Sequence, residues 1–215
     1  MHNTYGSTPL ATLAGLADYL SRSPLPVLLL EGIRARPEAD RFRVVAMGRM
    51  LAQRLPDVRF RSGNAEGTDT DFAEGVAAVD PGRMEYVMTH AGMGRKRRVE
   101  GCRTISLADL PNVAGSELDA STRRASPSTV GLLDAYRSRG MNGALGARGA
   151  YLLRDTLKVV GHAESGLTPA SAGLFYVNED DPLSGGTGHT LRVCMEYNVP
   201  IITQAIWLKW LTEGT

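Results

Sequence analysis

A glycine-rich segment, residues 62–73, joins a predicted strand to a predicted helix and contains Gly63, Asn64 and Gly67. Because glycine has no side chain, such a segment lets the backbone approach a phosphate closely. The free N–H groups at a helix N-terminus also suit an anion, and Asp69 would bond a ribose hydroxyl. The same residues also fit a tight turn and a helix cap, since Asp69 and the threonine before it are favoured capping residues.

A second segment, residues 180–192, also joins a predicted strand to a predicted helix. Three glycines among four consecutive residues lower the stability of the fold, so they are expected where the backbone must be approached without side chains in the way. A plain loop is the alternative interpretation. The segment lacks the Gly-Lys-Ser/Thr ending of a P-loop, and no Gly-x-Gly-x-x-Gly follows the first strand, so we do not expect ordinary NAD binding. Its candidate phosphate-binding residues are Gly185, Gly186, Thr187, Gly188, His189 and Thr190.

Short apolar runs alternate with segments of helical spacing along most of the chain. This alternation predicts an α/β fold, a Rossmann-like three-layer sandwich with a mostly parallel central sheet. Ligands bind such sheets at the carboxyl ends of the strands, so we expect the two glycine-rich segments to meet at one edge. The predicted strands cover residues 26–32, 58–62, 84–88, 174–177 and 199–203.

The domain prediction is one nucleotide-binding domain over residues 1–215, with an N-terminal helix at about 9–21. In residues 93–144, the part up to about residue 128 shows no regular spacing of apolar residues, which is typical of an insertion or a lid. This segment carries the basic run Arg95–Arg98. A solvated loop is the simplest interpretation of the run. The functional alternative is a lid whose arginines fold over a phosphate.

Composition excludes several classes of protein. The 215 residues include 24 Lys and Arg against 23 Asp and Glu, a net charge of +1, so we do not expect nucleic acid as a partner. No apolar run is long enough for a transmembrane helix, which predicts no membrane partner. The first twenty residues lack Lys and Arg, which indicates no signal peptide and a cytoplasmic location. Neither cysteine nor histidine spacing fits a metal, so we predict no metal site and no cofactor.

Three motifs together resemble the SLOG superfamily, which includes DprA, the cytokinin-activating LOG enzymes and the YspA-like proteins. Ser62–Ala73 resembles the family's SGGAxGxDxxA segment, and Ser184–Arg192 resembles the PGGxGTxxE loop of LOG enzymes. Glu31–Arg34 resembles the GSR motif of the YspA-like branch. The resemblance covers roughly residues 26–92 and 145–204.

The resemblance implies a Rossmann-like domain that holds a nucleotide or nucleotide-derived ligand, and family members often form homodimers. Arg154 resembles an arginine that faces the ligand in the family, although a solvated helix face is its simpler interpretation. The other residues implied to contact the ligand are Gly32, Arg34, Gly63, Asn64, Gly67, Gly185, Gly186, Thr187 and Gly188.

The chain departs from LOG enzymes at the position of their loop glutamate, which is Arg192 here. Glu196 lies one helical turn further on, and Asp69 or Asp71 are the other candidate catalytic carboxylates. The favoured prediction is therefore binding or sensing of a nucleotide-derived small molecule. The alternatives are a LOG-like phosphoribohydrolase that cleaves the N-glycosidic or phosphate bond of a nucleotide and, third, single-stranded DNA binding like that of DprA.

Overall fold

The apolar run after Pro26 forms β1, the central strand of a six-stranded sheet. A computed structural model describes residues 10–113 and 115–213; residue 9 of the predicted N-terminal helix and residue 114 of the predicted insertion lie outside them. All strand pairs within the described residues are parallel, in the order β4-β3-β2-β1-β5-β6. The strands are β1 (Val27–Gly32), β2 (Arg59–Ser62), β3 (Met84–Met88), β4 (Arg103–Ser106), β5 (Ala172–Tyr176) and β6 (Ile201–Thr203).

Helices cover both faces of this sheet, and the predicted α/β three-layer Rossmann-like architecture is confirmed. α1, α2, α3 and α8 pack on one face, and α4, α5, α6 and α7 pack on the other. The helices are α1 (Leu13–Leu20), α2 (Arg41–Arg54), α3 (Thr68–Ala77), α4 (Glu117–Ala125), α5 (Val130–Arg139), α6 (Gly143–Val160), α7 (Gly185–Glu196) and α8 (Gln204–Glu213).

Side chains of β1 alternate between the two hydrophobic cores. Leu28 and Leu30 join the core beneath the first helical layer, whereas Leu29 joins the core beneath the second. All six residues of the strand are buried, which explains its nearly continuous apolar sequence.

Two elements between residues 93 and 144 differ from the sequence expectation. β4 is an edge strand with one large apolar residue, Ile105, and it is held partly by an ion pair between Arg103 and Glu85 on β3 at 2.9 Å. α4 is polar, but Ser116 caps it by accepting a hydrogen bond from the Asp119 amide. Periodicity missed both because few of their residues are apolar, although Ile105, Leu118 and Ala125 do join the cores. The ion pair and the cap add to their stability.

None of the helices formed by the described residues combines the length and the apolar composition needed to cross a bilayer.

Candidate functional site

The central position of β1 creates a crevice at one edge of the sheet. The chain continues from β1 through β2 to β3 and β4 on one side, whereas β5 and β6 lie on the other. The loops after β1 and β5 therefore diverge to opposite faces, and ligands of open α/β sheets bind at such a switch point. A cleft of about 540 Å³ opens here. It is lined by Glu31, Gly32, Ile33, Arg34, Ala35, Ala65, Asp69, Arg154, Asp155, Lys158, Ser184, Gly185, Gly186 and Thr187.

The two glycine-rich segments meet at this cleft. Ala65 and Asp69 come from the first segment, and Gly185–Thr187 come from the second. The hydroxyl of Thr187 donates a hydrogen bond to the carbonyl oxygen of Gly32 at 3.0 Å, which fixes the start of α7 against the end of β1. The geometry thus places both segments at the carboxyl edge of the sheet, as expected for parallel strands.

Asp69 connects the ends of β1 and β2. Its Oδ1 accepts from the Gly32 amide at 3.1 Å and its Oδ2 accepts from the Ala65 amide at 3.2 Å. Burial raises the pKa of Asp69, although Lys158 opposes this shift. Because both carboxylate oxygens already accept backbone hydrogen bonds, this residue holds the shape of the cleft.

A buried cluster of charges forms the floor of the cleft. Lys158 forms ion pairs with Glu31 and, at 2.8 Å, with Asp155. Oε2 of Glu31 accepts from Lys158, whereas its buried Oε1 has no hydrogen-bond partner among the described residues. Burial raises the pKa of Glu31 to about 7, because desolvation outweighs the attraction of Lys158.

Arg154 also lines the floor and binds the first glycine-rich segment. Its Nη1 donates to the carbonyl oxygen of Gly63 at 2.8 Å, and its Nε pairs with Asp155 at 3.1 Å. A Cβ atom at Gly63 would lie 1.9 Å from this Nη1. Glycine at position 63 therefore makes room for the guanidinium of Arg154. This side chain is buried, and does not lie on a solvated helix face.

The N-terminus of α7 points its backbone amides at the cleft. Ser184 forms no side-chain cap, and no described residue accepts a backbone hydrogen bond from Gly185, Gly186 or Thr187. Gly185 has a φ of +60°, a conformation that favours glycine. Arg34 lies exposed at the rim, and its side chain makes no hydrogen bond or ion pair within residues 10–113 and 115–213. This end of the cleft is thus suited to an anion.

Several predicted ligand contacts lie beside the cleft and pack protein against protein. Asn64 donates from Nδ2 to the Gly94 carbonyl at 3.0 Å, and Gly67 packs against the backbone of Arg34 with a φ of +84°. Gly188 packs in the same way against the backbone of Leu183.

His189 and Thr190 also make contacts within the protein. His189 is fully buried, with Nδ1 bonded to Ser126 at 2.7 Å and Nε2 bonded to Thr156 at 2.9 Å. Burial lowers its pKa to about 4. The hydroxyl of Thr190 donates to the Gly186 carbonyl at 3.2 Å. Both side chains therefore stabilise α7, one through its neighbours and one within its first turn.

Two of the three predicted catalytic carboxylates do not line the cleft. Asp71 is buried in ion pairs with Arg36 and Arg41. Glu196 pairs with Arg124 at 2.6 Å, and it lies at the last position of α7, about 16 Å along the helix from Gly185 at 1.5 Å per residue. Of the three, Asp69 alone lines the cleft.

Sequence reasoning did not include Glu31 and Lys158 among the site residues. The available signals were a carboxylate at the end of a buried apolar strand, and a lysine four positions after Arg154, which places both cations on one helical face. In the described part of the chain, no group of three or more His, Cys, Asp or Glu side chains is arranged to hold a metal ion.

No protein-family model and no curated protein matches the chain. Among solved structures, the chain is similar to DNA processing protein A from Helicobacter pylori. That structure was described for its single-stranded DNA binding mode. The match has 14% sequence identity and a TM-score of 0.44, and it covers 86% of this chain and 67% of the other. That neighbour is described as binding single-stranded DNA, which is contrary to our expectation that nucleic acid is an unlikely partner. A net charge near zero does not exclude a local basic surface, and the run Arg95–Arg97 is indeed exposed.

Proposed function

We propose that the cleft binds a nucleotide or a nucleotide-derived small molecule, with the phosphate at the N-terminus of α7. The observation that carries the proposal is the shared position of two features at the rim. The backbone amides of Gly185, Gly186 and Thr187 lack acceptors among the described residues, and the guanidinium of Arg34 lacks a partner there. Amides at a helix N-terminus and a free guanidinium are both groups that bind phosphate.

The shape of the site supports the same proposal. A volume of about 540 Å³ lies within the usual range of roughly 300–1,000 Å³ for small-molecule sites. The glycine-rich segments that resemble SLOG motifs both contribute to the walls of the cleft. Because both segments meet at the switch point, one cleft extends from the anion-binding rim to the charged floor, and a nucleotide could contact both.

Isothermal titration and thermal denaturation of the purified protein test the proposal. The probes are the four ribonucleoside 5′-monophosphates, the matching nucleosides and inorganic phosphate. We expect at least one monophosphate to bind and to raise the melting temperature, and its nucleoside to bind at least about tenfold more weakly, since it lacks the charged contact. Equal binding of nucleoside and monophosphate, or no binding of any probe, would overturn the proposal.

Two variants locate the binding. Gly186→Val adds a side chain at the mouth of the cleft, with its Cβ 3.2 Å from Oδ2 of Asp155, and we expect it to weaken binding while the protein stays folded. Gly131→Ala is the control, because no described atom lies within 4 Å of the added Cβ at that position. Unchanged affinity in Gly186→Val would place the ligand elsewhere.

The same samples distinguish the hydrolase and DNA-binding alternatives. Chromatography after incubation detects free base or free phosphate, and turnover of the bound monophosphate would favour the phosphoribohydrolase. A single-stranded oligothymidylate tests nucleic-acid binding. Retention that falls steeply with salt, in the absence of mononucleotide binding, would favour a DNA-binding function.

A further inference from the structure

Glu31 is a buried carboxyl group with one unused oxygen. Glu31 lies at the end of β1, is one of the residues that line the cleft, and is only 4% exposed. Lys158 bonds Oε2, but Oε1 has no hydrogen-bond partner among residues 10–113 and 115–213. A buried polar atom without a partner is costly, and such atoms are rare in folded proteins. This oxygen is therefore suited to a hydrogen bond from a ligand.

A chain of contacts connects this carboxyl group to the anion-binding rim. A Cβ atom added to Gly186, at the start of α7, would lie 3.2 Å from Oδ2 of Asp155, so this carboxylate is close to the backbone there. Oδ1 of Asp155 pairs with Lys158 at 2.8 Å, and Lys158 pairs with Glu31. Two side chains thus separate the proposed phosphate position from Glu31. In a nucleotide, the group bonded directly to the phosphate is the sugar.

The surroundings of Glu31 determine which ligand group suits it. Desolvation raises its pKa to about 7, so both the protonated and the ionised forms are populated near neutral pH. A ligand carbonyl would fit only the protonated form, and a ligand ammonium group would fit only the ionised form. A hydroxyl group fits both, because it donates and accepts hydrogen bonds.

Resting on the proposed nucleotide site, we infer that Glu31 bonds a hydroxyl group of the ligand's sugar and makes the cleft selective for nucleotides that carry this hydroxyl over the deoxy forms that lack it. The free oxygen, its position next to the rim and its buried surroundings all support this role. A ligand that lacks the hydroxyl would leave Oε1 without a partner, so its affinity should fall.

Titration calorimetry at pH 7 tests the selectivity directly. Each ribonucleoside 5′-monophosphate is compared with its 2′-deoxy and 3′-deoxy forms, which share the base and the phosphate. We expect at least one of the two deoxy forms to bind about tenfold more weakly or worse, as befits the loss of a buried hydrogen bond. Equal affinities for all three sugars would overturn the inference and leave the proposed phosphate site intact. If no nucleotide binds, the inference and the proposed function both fail.

A double variant shows whether Glu31 is responsible. Glu31→Leu with Lys158→Met replaces both members of the ion pair by apolar side chains of similar size. Asp155 loses Lys158 in this variant but keeps its ion pair with Arg154. We expect the preference for the ribose form to fall to within about twofold, whereas the exposed control Glu164→Gln should retain it. A preference that survives in a folded double variant would overturn the role of Glu31. If the double variant does not fold, Glu31→Leu alone is measured, since its side chain forms no hydrogen bond and Lys158 keeps its ion pair with Asp155; an unchanged preference there has the same meaning.

Discussion

The buried guanidinium of Arg61 on β2 donates a hydrogen bond to the backbone carbonyl of Lys158 on α6 across 2.7 Å. The same side chain donates to Oε1 of Glu85 and to the carbonyl of Thr168, each at 2.7 Å. Because Lys158 belongs to the charged floor of the cleft, Arg61 connects the sheet to the helix that carries this floor. One side chain outside the cleft thus helps to determine its geometry.

Arg61→Met should destabilise the protein strongly. The substitution removes three hydrogen-bonded contacts and leaves the buried carboxylate of Glu85 with Arg103 as its remaining ion-pair partner. Loss of one member of a buried ion pair typically costs about 3–5 kcal/mol. Urea denaturation measures the change. Arg59→Met, at the exposed start of the same strand, should cost less than about 1 kcal/mol. Similar losses in the two variants would contradict the structural role of Arg61.

Gly63→Ala should displace Arg154 from the floor of the cleft. The added Cβ would lie 1.9 Å from Nη1 of Arg154, so the guanidinium must give up its hydrogen bond to the Gly63 carbonyl. Overpacking and the lost bond should together cost about 1–3 kcal/mol in unfolding free energy. Thermal or urea denaturation gives the value.

Gly131→Ala is the matched control for this substitution. Position 131 lies in α5 with open space around the added Cβ as far as the described residues extend, so the better helix propensity of alanine should stabilise the protein by up to about 1 kcal/mol. A Gly63→Ala variant as stable as this control would show that Arg154 does not occupy the space beside Gly63.

The sequence predicted the layered fold well, because strands that are buried on both faces, such as β1, consist almost entirely of apolar residues. The same pattern concealed Glu31. A carboxylate at the end of a buried strand is tolerated only with a partner, and its partner, Lys158, lies 127 residues further along the chain. Patterns of residues that are close in sequence cannot reveal a contact between residues so far apart in the chain.

A related reason applies to His189, which the sequence pattern assigns to the phosphate site. Its distance in sequence from the glycines suggested a position in the same loop, but α7 already begins at Gly185. By the fifth residue of the helix, the periodicity of 3.6 residues per turn determines the face, and here it directs the imidazole to Ser126 and Thr156. The face depends on where the helix begins, which sequence patterns locate poorly.

The stability contribution of Glu31 should decrease as the pH rises. Burial raises its pKa from 4.5 to about 7 in the folded protein, so the folded state binds the proton more tightly than the unfolded state does. The favourable contribution is complete below about pH 4.5 and is lost as the pH rises through 7.

Glu31→Gln removes this titration. We therefore expect the unfolding free energy of the variant, relative to the parent protein, to increase by about 1–3 kcal/mol between pH 5 and pH 8. Urea denaturation across this range measures the difference, and the exposed control Glu164→Gln should show no such trend. A flat difference for Glu31→Gln would mean that the carboxyl group titrates alike in the folded and unfolded states.

His189 should make the protein sensitive to acid, with the opposite sign to Glu31. Desolvation lowers the pKa of its imidazole from 6.5 to about 4, so its contribution is complete above about pH 6.5 and is lost as the pH falls through 4. His189→Gln keeps a hydrogen-bonding side chain but does not titrate. The parent protein should therefore lose about 1–3 kcal/mol more unfolding free energy than the variant between pH 6.5 and pH 4. His90→Gln, at an exposed position, is the control and should follow the parent. Direct titration of the imidazole by NMR adds an independent reading, and a His189 signal that titrates near pH 6.5 in the folded protein would refute its burial between Ser126 and Thr156.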